Sequence, residues 1–303
     1  MRRILLALAI VALAGCRGEP IAVVGEEAYL PPTLSLPQLV ERVNANNARL
    51  PSLVAGGYFE AVLVEEPGGR PTPPINGTLN LLHLKPDRLR LAAKKDLAGN
   101  VFELGTDGER FWMHLPLEDL LFTGTFAGVD ERAAATLPVR PDLILQVLGV
   151  NLLPTQLDDF PAPVLEYDPD GRTYMVRFVE PAVLGEPRLK VAKQVWYDAP
   201  RDLSRTPRPL KVILSDDDGR PVLAAYLSDH QPVGDGPDAP LVATQFALFF
   251  PETGSKMLLR LDDLALTRDA RFGPDLPNAR SFRFDPDSYR GASVRSLDRA
   301  GDR

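Results

Sequence analysis

The sequence predicts a mainly β domain of the α+β class, built on an antiparallel sheet with few helices. Three observations predict it. About ten short apolar or alternating runs follow one another along the 303-residue chain. The segments between them leave little room for crossover helices, so sequential strands must pair antiparallel. Prolines number 30, roughly twice average usage, and so many interrupt long helices while suiting short strands and loops.

Two helices are expected. Ser35 can cap the first, with Pro37 in its first turn and Leu36, Leu39, Val40 and Val43 at helical spacing. Asn44, Asn46 and Asn47 weaken its end and Pro51 stops it. The bland reading of its apolar stripe is packing onto a sheet. Pro141 and Asp142 begin the second helix, whose Leu143, Ile144, Leu145, Val147 and Leu148 make it apolar nearly all round before Gly149. Such a helix is either buried or a lid with one side on protein and the other on an apolar cavity.

Tyr58–Glu65 reads as the first strand. Leu79–Leu84, Arg88–Ala93, Val101–Gly105 and Arg110–Leu115 are four more, joined by turn-forming segments at Lys85-Pro86-Asp87 and Thr106-Asp107-Gly108. Asn76-Gly77 is itself a turn signal. Leu89 and Leu91 alternate with Arg88 and Arg90, which gives a dry face and a wet one. The last of the four is two-sided: Phe111 and Met113 fall on one face, Trp112 and His114 on the other. A strand of that kind is covered on both faces or lines a cavity. Leu117–Phe126 is dense in apolar side chains. Further strands are expected at Arg172–Glu180, Leu189–Asp198, Leu210–Ser215, Val222–Asp229, Leu241–Phe250 and Lys256–Thr267, with a short one at Ser281–Phe284. Residues 291–303 read as a polar, frayed tail.

The composition excludes several chemistries. A net charge of −7 argues against nucleic acid as main partner. His83, His114 and His230 have no metal-ligand spacing, and there is one cysteine. No nucleophile elbow is present. Asp216-Asp217-Asp218-Gly219 lacks the alternating ligands of a calcium loop and reads as a solvated hairpin turn. No cofactor and no enzymatic constellation are expected.

The amino terminus carries the most specific signal. Arg2 and Arg3 precede an apolar run, Ile4–Ala12, that is too short to span a membrane, and Leu13-Ala14-Gly15-Cys16 follows. This resembles the bacterial lipobox. The resemblance implies a signal peptide over residues 1–15, lipidation at Cys16 and a tether over residues 16–33. With Arg17 after the cysteine, it also implies an outer-membrane location facing the periplasm. Cys16 is the only cysteine, so no internal disulfide can form.

The order of features resembles the LolA/LolB superfamily of lipoprotein carriers and receptors. Thr106-Asp107-Gly108-Glu109-Arg110-Phe111-Trp112 with Pro116, and Phe282-Arg283-Phe284-Asp285-Pro286, carry the likeness. It covers roughly residues 34–290. It implies a strongly curved antiparallel sheet, an incomplete β-barrel whose hollow is covered by helices and takes acyl chains. Phe102, Leu104, Trp112, Phe122, Leu143 and Leu145 are then the candidate lining residues. The partners implied are a membrane, through the lipid on Cys16, and an apolar ligand or acylated lipoprotein. The alternative is a protein-interaction or stress-sensor module with a filled hollow.

Overall fold

The computed structural model describes residues 33–64, 68–95, 99–130, 134, 137, 139–157, 161–182, 188–266 and 277–299. The leader, Cys16 and the tether to residue 32 lie outside them. Leu34–Arg303 forms one compact unit.

Helix α1 is Leu36–Ala48, and it begins as the sequence indicates: the Ser35 N–H donates to Gln38 Oε1 at 2.9 Å. Five strands follow, β1 (Ser52–Val62), β2 (Ile75–Leu84), β3 (Arg88–Lys95), β4 (Gly99–Asp107) and β5 (Arg110–Leu115). Then come β6 (Leu120–Thr125) and helix α2 (Pro141–Val147). The second half contains β7 (Val164–Asp168), β8 (Thr173–Pro181), β9 (Leu189–Asp198) and β10 (Pro209–Ser215). It closes with β11 (Pro221–Pro232), β12 (Leu241–Phe250), β13 (Ser255–Ala265) and β14 (Ser293–Ser296).

These strands make one 14-stranded sheet in the order β14-β6-β5-β4-β3-β2-β1-β13-β12-β11-β10-β9-β8-β7. Each half is a meander, and β1 joins them by pairing with β2 on one side and β13 on the other. Every pairing is antiparallel except β14 with β6. The two ends of the order, β14 and β7, are not paired with each other, so the sheet is open.

The contacts of α2 require the sheet to be curved. This one helix touches β4, β5 and β10. Between β4 and β10 lie seven strand-to-strand steps, about 34 Å if the sheet were flat at ~4.8 Å per step. A helix is only ~10–12 Å across, so the sheet must bend around it. Along the inward face run Phe59, Leu81, Leu91, Leu104 and Met113 from the first half, and Val195, Val212, Leu223, Phe246 and Leu259 from the second. Leu39, Val40 and Val43 of α1, Leu143, Ile144, Leu145 and Val147 of α2, and Leu148 just after it join the same buried cluster.

Several expectations are corrected. The first strand starts at Ser52, not Tyr58, because Gly56 and Gly57 lie inside it rather than breaking it. A Cβ on Gly57 would sit 2.0 Å from the Arg260 carbonyl oxygen of β13, so glycine there permits the close approach of the two halves. Asn76-Gly77 lies within β2, with Gly77 opposite Phe59. Leu120–Thr125 and Val164–Asp168 are additional strands. Ser281–Phe284 is not a strand: Ala279–Phe282 is a 3-10 turn capped by the Asn278 side chain. The frayed tail is corrected in part, since Ser293–Ser296 pairs with the edge strand β6. Asp298 Oδ1 fixes this end by accepting from the Thr125 N–H at 2.7 Å.

Candidate functional site

The asparagines of α1 bind the two helices together. Asn47, buried, donates to the carbonyls of Gly149 at 3.1 Å and Asn151 at 2.7 Å, just past α2. Asn44 donates to the Leu153 carbonyl at 2.9 Å and accepts the Leu153 N–H at 2.7 Å. Asn46 makes the same two-point contact with Leu241, at 3.0 and 2.8 Å. Residues that weaken a helix by propensity therefore serve as side-chain amides pairing like peptide groups with neighbouring backbone.

Beside α2 the interior opens. A cavity of about 540 Å³ lies between Leu137, Arg140 and Leu143 on one side and Arg220, Val222, Phe250 and Thr253 on the other. A second cavity of about 430 Å³ adjoins it, walled by Leu152, Leu153, Phe178, Lys193 and Leu214. Both share Arg140, Leu143, Asp216, Asp217 and Val222. Their common rim is the β10–β11 hairpin, where Asp216 Oδ1 accepts the Asp218 and Arg220 N–H groups at 2.9 and 2.8 Å. Its carboxylate is thus committed to the turn, as the sequence suggested. Asp217 is ion-paired with Lys190.

Lys193 differs from these. On β9 it lies opposite Phe178 of β8 and Leu214 of β10, so it interrupts an apolar inward row. Its Nζ donates to the Gln146 carbonyl of α2 at 3.1 Å. Burial holds its pKa down to about 8. The sequence reading missed Lys193, although a signal existed: within Leu189–Asp198 it shares strand parity with Val195 and Tyr197, both buried.

Of the candidate lining residues, Phe102, Leu104, Phe122, Leu143 and Leu145 all lie in the inward cluster. Phe102 meets Phe59 edge-on with ring centroids 5.4 Å apart. Only Leu143 of the six borders the open space. Trp112 is a correction, because it is outside that cluster and faces the other way.

The two-sided strand β5 is covered on both faces. Phe111 and Met113 point inward. Trp112 points outward under Phe284, with centroids 5.4 Å apart, and His114 lies 4.9 Å from the Tyr289 ring. A polar clamp holds that cover down. Arg90 Nη2 lies 3.0 Å from Glu103 Oε1, which also accepts the Tyr289 hydroxyl at 2.6 Å. Burial and the Glu103 carboxylate raise the Tyr289 pKa, and burial lowers that of His114.

No helix of the described residues is long and apolar enough to cross a membrane. Among them, no group of three or more His, Cys, Asp or Glu could hold a metal.

No protein-family model matches the chain, and no curated protein matches it. Among solved structures it is similar to a LolA superfamily protein from Nitrosomonas europaea, at 13% identity and a TM-score of 0.46, covering 84% of this chain and 99% of that one. It is also similar to a domain named for outer membrane lipoprotein sorting from Vibrio parahaemolyticus, at 12% identity and a TM-score of 0.44, over 74% of this chain and 90% of that one. These likenesses concern architecture alone.

Proposed function

We propose that this chain is a lipid-anchored lipoprotein of the bacterial envelope that binds an acyl chain, without turning it over, in the space beside α2. In this reading Cys16 carries the lipid, and α1 and α2 cover the hollow of the half-barrel. The observation that carries the reading is the pair of adjoining cavities meeting at Leu143 and Val222, where Leu137, Leu152, Phe178, Leu214 and Phe250 supply apolar wall between charged rims, all of it from the flanks of α2 and the second half of the sheet. Each methylene transferred there from water contributes ~0.8 kcal/mol, so six would supply ~5 kcal/mol before ordering costs. The ligand is an acyl chain of a lipid or of an acylated lipoprotein.

The test is lipid extraction and mass spectrometry of the protein purified from a bacterial membrane, beside a Cys16→Ala variant. The expected result is a thioether-linked lipid on Cys16 and a separate, non-covalent acyl species. A reproducibly empty protein that displaces no acyl probe would sink the binding reading.

A second reading has its own support. Much of the inward face is filled by buried side chains, Leu104 and Phe246 among them. That suits a protein-interaction or stress-sensor module recruiting a partner through the open edge β7, where Val164 is exposed. Crosslinking in the native membrane separates the two, because acylated clients support the first and a single regulator supports the second.

A further inference from the structure

We propose that the cavity beside β9 holds the carboxylate head of a long-chain fatty acid, with Lys193 Nζ as its counter-ion. This rests on the acyl-binding reading and names the head group and the residue that selects it. A charged amine on an apolar sheet face costs free energy unless something neutralises it. Lys193 has Phe178 and Leu214 as its cross-strand neighbours, and its one hydrogen bond among the described residues goes to a neutral backbone carbonyl. No described carboxylate pairs with it. Its neighbours differ: Lys190 is paired with Asp217, and Arg140 has a partner of its own. An ammonium has three donors, and two of those on Lys193 remain for a ligand. Lys193 is partly exposed at the cavity mouth, and its lowered pKa agrees with an amine held against apolar neighbours without a charged partner.

The charge of the head group follows from the lining. Glu180, Asp216 and Asp217 border the same cavity as Arg140, Lys190 and Lys193; with Lys190 on Asp217 and Arg140 engaged elsewhere, Lys193 is left to offset one negative charge, and a dianionic phosphate monoester exceeds it. A monoanion fits. The cavity of about 430 Å³ leaves space for the first part of a tail along Leu143, Leu152, Leu214 and Val222. The rest of the chain then passes to the adjoining cavity through the shared wall at Leu143 and Val222.

The experiment measures binding of laurate, 1-dodecanol and dodecyl phosphate to residues 34–303, the compact unit that contains every contact described here. Circular dichroism checks the fold of each variant. A charge-assisted hydrogen bond corresponds to about tenfold or more in affinity, so laurate should bind at least about tenfold tighter than dodecanol. Lys193→Met should remove that preference and leave dodecanol binding within about twofold. Lys193→Arg should retain it. Equal binding of laurate and dodecanol to the unaltered protein, or equal loss of both in Lys193→Met, overturns the head-group assignment while leaving acyl binding intact. Dodecyl phosphate binding tighter than laurate overturns the choice of a monoanion. Binding of neither laurate nor dodecanol overturns the acyl reading itself.

Discussion

His83 makes the fold acid-sensitive by an amount that the structure sets. It lies on β2 between Leu53 of β1 and Leu89 of β3, facing inward and fully buried. Its Nδ1 is 2.9 Å from the Arg88 carbonyl oxygen, so the neutral ring donates from Nδ1. Burial, helped by the charge of Lys85 and opposed by that hydrogen bond, pulls its pKa from 6.5 to about 4. Above pH 6.5 the ring is neutral in the folded and unfolded chain, and its full contribution to stability is present. As the pH falls, the unfolded chain takes up a proton first and stability drops. The loss is complete below about 4, where both states are charged. At ~1.4 kcal/mol per pKa unit the total is about 3 kcal/mol, and roughly 2 kcal/mol of it falls between pH 7 and 4.5. Carboxylates titrate over the same range, so the measurement is a comparison. Urea unfolding of the unaltered chain and of His83→Phe is followed at pH 7, 5.5 and 4.5. The variant is less stable at pH 7, having lost a bond to the Arg88 carbonyl, but it should lose less stability on acidification, by roughly 2 kcal/mol. Parallel pH profiles would refute the assignment of a buried, neutral His83.

Three other substitutions probe the site and its supports. Gly105→Ala would put a Cβ 2.5 Å from Trp112 Cζ2 and 2.9 Å from the Leu89 carbonyl oxygen; the clash should cost roughly 1–3 kcal/mol, seen as a lower thermal midpoint with the outer-face Trp112 fluorescence altered. Asn47→Ala strands the Gly149 and Asn151 carbonyls and should cost about 1–3 kcal/mol, with amide exchange quickening at α1 and at residues 149–153 before the distant β5–β6 hairpin. Val222→Glu places a carboxylate on the wall shared by both cavities; acyl-probe affinity should fall about tenfold or more while urea stability changes by less than ~1 kcal/mol, and unchanged affinity would move the ligand elsewhere.

Much of the architecture was legible because it depends on local patterns. Alternation identified β3, and Ser35 with Pro37 placed the start of α1. Strand after strand without crossover length required an antiparallel meander, which is what β1–β6 and β7–β13 form. The strands that escaped notice lack such patterns. β14 reads Ser-Val-Arg-Ser and is exposed throughout, so only its backbone bonds to the edge strand β6 make it a strand. In β1 two glycines look like an interruption, and their purpose appears only when β13 lies against them.

The sequence by itself determined the class of sheet, a helix at Pro141 that is apolar nearly all round, and a β5 strand with large side chains on both faces. It could not determine which face turns inward, because parity along one strand is symmetric until neighbouring strands and covers are placed. The tertiary structure settled that: Phe111 and Met113 join the inward cluster, while Phe284 and Tyr289, more than 160 residues away in sequence, cover Trp112 and His114. It also decided what the asparagines of α1 hold and that Lys193 stands at a cavity beside α2. Alone in sequence, the former are weak helix residues and the latter an ordinary strand lysine. Each acquires its role from a partner, the turn after α2 or the cavity beside Gln146, that only the bending of the sheet brings near.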